Sequence, residues 1–114
     1  MLAAVIYGEA RGESYEGKVA VAAVVINRMK SPQFPNTLEE VVYQPGAFTC
    51  VSDGQIKLEP GLECYYAAFD AILGNDPTSG CLFYLNPKTA TSRWMLKRMK
   101  TESVTVIGNH VFTK

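Results

Sequence analysis

Charge of one sign is what this sequence most lacks. Lys+Arg and Asp+Glu balance at 11 each over 114 residues, for a formal net charge of +0. A nucleic-acid binder needs a basic patch or stripe, so no nucleic-acid partner is expected. Histidine occurs once, as His110, and tryptophan once, as Trp94. The three cysteines, Cys50, Cys64 and Cys81, are an odd number and contain no C-x-x-C pair. That counting speaks against a disulfide framework and against a zinc site, and neither a metal nor a cofactor is expected. Small buried thiols are the best reading for Cys64 and Cys81, with one disulfide plus one free thiol as the alternative. A transmembrane helix needs about 18 or more apolar residues in a row, and the longest run, Val19 to Ile26, is far shorter. Met1-Leu2-Ala3 lacks the basic start of a signal peptide and leads straight into Glu9. Export without its own signal, or a domain cut from a longer precursor, is expected.

What is present is an ordinary globular share of hydrophobic residues, 47%, on a length suited to one compact domain over 1–114. Read as a helix, Leu2 to Arg11 places Leu2, Val5, Ile6 and Glu9 on one stripe. Glu9 therefore falls on the face that should point at the core, and Glu13 continues the stripe if the helix reaches that far. Desolvation disfavours an ionised carboxylate there, which is the environment a general acid needs. A carboxylate paired with Arg11 or Arg28 is the bland alternative, and for a lone Glu on a helix it is the stronger one.

Ser14 is placed to cap a second helix. The run Val19-Ala20-Val21-Ala22-Ala23-Val24-Val25-Ile26, with its polar flanks, predicts a central helix buried on all sides. Thr37-Leu38-Glu39-Glu40 opens a short helix. Phe48 to Gln55 has no clear period and reads as a functional loop. Leu62, Tyr65, Tyr66, Phe69, Ile72 and Leu73 form the apolar stripe of another helix, expected to face the core. Cys81 to Asn86 is a strand candidate. Ser92 is placed to cap a short helix carrying Trp94. Val104–Ile107 and His110–Thr113, joined by Gly108-Asn109, predict a hairpin. Helices first and strands late indicate an α+β fold.

These blocks, in this order, resemble the catalytic domain of the SleB/CwlJ family of spore cortex-lytic enzymes. The residues carrying the resemblance are Glu9-Ala10-Arg11-Gly12-Glu13, Glu16 to Arg28, Phe34-Pro35-Asn36-Thr37 and Tyr43 to Thr49. Further along they are Ser52-Asp53-Gly54-Gln55, Asn86-Pro87, Thr89 to Ser92, Trp94 and Gly108 to Phe112. Cys50 departs from the pattern, where a small apolar residue is expected. The resemblance implies a small lysozyme-like domain. It implies cleavage of the peptidoglycan glycan backbone between N-acetylmuramic acid and N-acetylglucosamine, as a lytic transglycosylase acting outside the cytoplasm on the cell wall or spore cortex. It also implies that the family's catalytic glutamate matches Glu9, which agrees with the helix-face argument. The partner is then the glycan strand. The chain is expected to be a monomer.

Hydrolytic glycosidases usually need two carboxylates. Besides Glu9 the candidates are Glu13, Glu16 and Asp53. A transglycosylase can manage with one, which the lack of an obvious second acid favours. For sugar binding the candidates are Glu13, Phe48, Ser52, Asp53, Gln55, Tyr84, Asn86, Thr91 and Trp94. Tyr84 and Asn86 lie two apart on the strand candidate and should share a face with the groove. Trp94 reads equally as core, and Ser52 and Asp53 equally as turn formers. Two other classes stay open. One is a cell-wall peptidase with Cys50 as nucleophile and His110 as base. The other is a non-catalytic peptidoglycan-binding module.

Overall fold

The computed structural model describes residues 1–101 and 103–114, with Thr101 as backbone only. Its elements are α1 (Leu2–Ala10), α2 (Tyr15–Lys30), α3 (Leu38–Val42), α4 (Thr49–Ser52), a 3₁₀ turn (Gln55–Lys57) and α5 (Leu62–Ile72). There follow β1 (Phe83–Leu85), α6 (Arg93–Thr101), β2 (Val104–Ile107) and β3 (His110–Thr113). Among the described residues no helix is long and apolar enough to cross a membrane.

The predicted central helix is α2. The Ser14 hydroxyl accepts from the Gly17 N–H and starts it. Val19 to Val25 are all buried, and Ile26 partly so. Small side chains all round let α1 and α5 approach it from two sides. One cluster joins Val5 and Ile6 of α1 to Ala22 and Val25 of α2 and to Cys64, Ala67 and Ala71 of α5. A second joins Ala20, Val21 and Val24 of α2 to Ile107 and Phe112 of the sheet. Tyr84 packs against both, so it stands at the seam between helices and sheet.

The expectation for α5 was inverted. Leu62, Tyr65, Tyr66, Phe69, Ile72 and Leu73 are exposed, Phe69 by 61% and Ile72 by 65%. The buried face is Cys64, Ala67, Ala68 and Ala71. Against an alanine-rich α2, a face of small residues brings the two helices into close contact. The large face would hold them apart. All three cysteines are buried and free.

The sheet is antiparallel in the order β1-β3-β2. β3 pairs with β1 through Tyr84 opposite Phe112, and with β2 through Val106 opposite Val111. Its hairpin turn is tied back to the helices by Glu13. The Asn109 backbone and side-chain N–H groups donate to the two Glu13 oxygens at 2.9 and 3.0 Å. The Lys18 ammonium donates to the Glu13 carbonyl at 2.7 Å.

These ties set an acid dependence. Burial alone would raise the Glu13 pKa, but the Asn109 donors, with His110 and Lys18, bring it below the usual value. Asp76 behaves alike, its burial overcome by donors from Thr78, Asn27 and Gly80. Burial pushes His110 down, against the attraction of Glu13 and Glu9. His110 is therefore neutral near pH 7, and its 4.0 Å approach to Glu13 is not an ion pair there. A depressed carboxylate stabilises above its unfolded pKa and loses that as pH falls through the folded value; a depressed histidine does the same from its own, higher unfolded pKa. Melting temperature is expected to fall in two stages on acidification, first below about pH 6.5 and then below about pH 4.3. Glu13→Gln should lower it near neutrality and flatten the second stage, since one amide N–H then faces an Asn109 donor. A melting temperature independent of pH from neutrality down to the carboxylate range would contradict this account.

Candidate active site

Glu9 sits in the last turn of α1, half-buried, on the wall of a groove of about 720 Å³. Both of its oxygens are held. Oε2 accepts the Cys50 backbone N–H at 3.0 Å, and Oε1 accepts the Tyr84 hydroxyl at 2.6 Å. Each oxygen keeps a further lone pair for a proton. The first contact also explains why Phe48–Gln55 is not a plain loop. Phe48 at the head of α4 has no side-chain acceptor, and Glu9 takes an otherwise orphaned donor of that short helix. Gly8 makes the approach possible: a Cβ there would lie 2.4 Å from the Cys50 Cβ. The tyrosine comes from the sheet, so helices and sheet each supply one restraint on the carboxylate. Burial and then the neighbouring Glu9 charge hold the Tyr84 phenol protonated, which keeps it a donor.

Tyr84, Asn86, Thr91 and Trp94 line the same groove as Glu9. Trp94 is 59% exposed and meets Phe83 edge-on at 5.7 Å, so it belongs to the groove wall and not to the core. The remaining candidates do not line it. Glu13 lies under the hairpin turn, held by Asn109. Phe48 is in the core at 3% exposure because it closes the helical cluster. Asp53 is a turn former, accepting the Gln55 N–H at 3.0 Å. Ser52 donates to the Thr49 carbonyl, and Gln55 accepts from Arg11 at 2.7 Å. The local sequence of Ser52-Asp53-Gly54-Gln55 suits a tight turn, with Gly54 at φ 82°, and that use takes up the polar groups.

Among the described residues no hydrogen bond joins Cys50 to His110, and His110 lines the groove while Cys50 does not. The Cys50 thiol is buried and its pKa is pushed up to about 12, first by burial and then by the adjacent Glu9 carboxylate. A thiol held protonated is a poor nucleophile. His110 lines the groove, edge-on to Tyr84 at 5.1 Å, with Nδ1 buried and without a hydrogen bond. Sequence reasoning missed Arg28, Phe34, Phe83 and the segment Gln44 to Ala47, which also line the groove. Arg28, Phe34 and Gln44 to Ala47 lie in the motif blocks, which was the signal that could have found them; Phe83 lies outside those blocks.

A profile of the Cell Wall Hydrolase family matches residues 12–113. The chain belongs to this family. The matched span begins just after Glu9, so the place of that residue rests on the geometry above. The spore cortex-lytic enzyme of Oceanobacillus iheyensis is 51% identical over 114 residues, 100% of this chain and 40% of that protein. The enzyme of the same name from Bacillus subtilis is 50% identical over 112 residues, 98% of this chain and 36% of that protein. The chain thus spans less than half the length of these curated relatives. Among solved structures, the catalytic domain of the germination-specific lytic transglycosylase SleB from Bacillus anthracis matches with a TM-score of 0.90 at 50% identity. That match covers 99% of this chain and 90% of the other. The catalytic domain of Bacillus cereus SleB matches with a TM-score of 0.89, also at 50% identity, covering 99% and 86%. The α+β fold, helices first and a small antiparallel sheet late, is therefore that of the SleB catalytic domain, and the motif resemblance to SleB/CwlJ holds.

Proposed function

We propose that this domain cleaves the peptidoglycan glycan backbone between N-acetylmuramic acid and N-acetylglucosamine, as a lytic transglycosylase with Glu9 as acid and then base. One observation carries the reading. Among the described residues, Glu9 is the single carboxylate lining the groove, and Glu13 and Asp53 are committed to other contacts. A hydrolase of the two-carboxylate kind would need a partner several ångströms away across the bond. With one carboxylate, Glu9 protonates the leaving oxygen as the C1–O bond breaks. The C6 hydroxyl of the same muramic residue attacks C1 and gives its proton to Glu9. A 1,6-anhydro ring closes, no water is consumed, and the carboxyl is restored. The nucleophile is part of the substrate, so its proximity replaces an activated water.

Tyr84 and the Cys50 N–H aim the carboxylate, while Trp94 and Phe83 offer apolar faces to a sugar and Asn86 and Thr91 polar groups. The names of the relatives support the cortex as substrate, and an extracytoplasmic place of action follows from it. The test is mass spectrometry of fragments after digestion of cortex and of vegetative peptidoglycan. Muramic ends one water lighter than hydrolytic ends are expected. Reducing muramic ends alone would make the enzyme a hydrolase and require a second carboxylate.

A further inference from the structure

Arg28, in the last turn of α2, is a buried cation with no ion pair among the described residues. It is 7% exposed and lines the groove that holds Glu9. Its Nε donates to the Leu82 carbonyl at 2.7 Å. Among the described residues that is its one hydrogen bond, so both terminal nitrogens are unfilled. The one described ion pair near neutral pH joins Lys18 to Glu63, and His110 approaches Glu13 as a neutral ring; neither contact reaches Arg28. The rings of Phe34, Phe48 and Phe83 stand around the guanidinium at 5.1, 5.3 and 5.7 Å. Ring faces offset part of a buried charge, but they do not accept from the planar N–H fork. Burial draws the Arg28 pKa down, with Tyr84 and Glu9 acting against it, and an arginine nonetheless stays charged.

A strut joining α2 to the entry of β1 would need only the Nε contact. Buried charges are ordinarily paired, and a guanidinium fork fits a carboxylate with two parallel hydrogen bonds. With His110 neutral, Arg28 is the one cation on the groove wall among the described residues. We propose that Arg28 binds a substrate carboxylate through its two terminal nitrogens. On the glycan reading above, on which this rests, the carboxylate is the free lactyl group of a peptide-free muramic residue or one carried by the stem peptide. The groove then selects muramic-containing strands over neutral glycans of the same backbone.

The test compares kcat/KM on peptidoglycan strands with free carboxylates and on the same strands after methyl esterification, each prepared with and without stem peptides. Losing a charge-assisted contact should cost the wild type about 10–100-fold on the esterified strands. In Arg28→Met the acid-to-ester ratio should collapse to near unity, and in Arg28→Lys it should be intermediate, because the fork is lost and the charge kept. A ratio seen on peptide-free strands assigns the lactyl carboxylate; one confined to peptide-bearing strands assigns the stem. A wild type indifferent to esterification overturns the proposal, even if Arg28→Met does not fold. So does an Arg28→Met that folds and keeps the full ratio. A wild type that cleaves neither form overturns the glycan reading and this proposal with it.

Discussion

Glu9→Gln is expected to abolish glycan cleavage while leaving the fold in place. The amide has the volume of the carboxylate. Its oxygen can accept the Cys50 N–H, and its NH₂ can donate to the Tyr84 oxygen, so both restraints seen on Glu9 survive in altered form. What it cannot do is give a proton to a leaving alkoxide or take one from the C6 hydroxyl. General acid–base catalysis by one side chain is worth about 10²–10⁴-fold, and in the proposed mechanism one residue serves twice, so the loss should reach at least that range. Removing a partly buried carboxylate also removes its desolvation cost, so the melting temperature should be unchanged or slightly raised. Glu13→Gln is the control. It lies outside the groove and should keep measurable activity while losing stability. Near-parental cleavage by Glu9→Gln would end the assignment of the acid. A large loss of stability in the same variant would instead make Glu9 chiefly the cap of α4.

The largest effect on stability should come from Phe112→Ala. Phe112 is fully buried, on the central strand, packed against Ala20, Val21 and Val24 of α2. Deleting a core phenyl costs about 3–5 kcal/mol, partly transfer and partly the cavity left behind. That is a large share of the roughly 5–15 kcal/mol that holds a domain together. The ring also packs 5.8 Å from Tyr84, directly opposite in the ladder, so the change should loosen the hydroxyl that aims Glu9 and lower turnover as well. Phe69→Ala is the contrast. The side chain is the same, but it is 61% exposed on α5, and a surface change of this kind is usually within about 0.5 kcal/mol. Denaturant midpoints of the two variants decide the matter. If Phe69→Ala were as costly as Phe112→Ala, the inverted packing of α5 would be wrong.

The sequence by itself determined the order of elements, the buried α2, the hairpin and the carboxylate to suspect. Each is written in local pattern. The apolar run from Val19 to Ile26 cannot be left in water, Ser14 and Thr37 supply caps to the residues just ahead of them, and Gly108-Asn109 sits between two alternating strands. Glu9 stands out as the candidate acid because its helical spacing from Val5 and Ile6 sets it on an apolar stripe, and the motif blocks point to the same residue.

Only the tertiary structure decided what those elements face. The large apolar stripe of α5 is a stronger amphipathic signal than its small-residue face, yet the small face is buried. Close packing depends on the partner's shape as well as on hydrophobicity, and α2 offers alanines and valines. The same holds at the site. The stripe that marks Glu9 runs on to Glu13, and only the tertiary contacts show Glu9 aimed by a backbone N–H from α4 and a hydroxyl from β1 while Glu13 is spent on a distant hairpin turn. Arg28 reads as an ordinary residue near a helix end until Phe34, Phe48 and Phe83 close around it from three other segments. Periodicity reports the side of an element on which a residue lies. Whether a carboxylate there becomes an acid or a tether depends on the donors that distant parts of the chain bring within 3 Å of it.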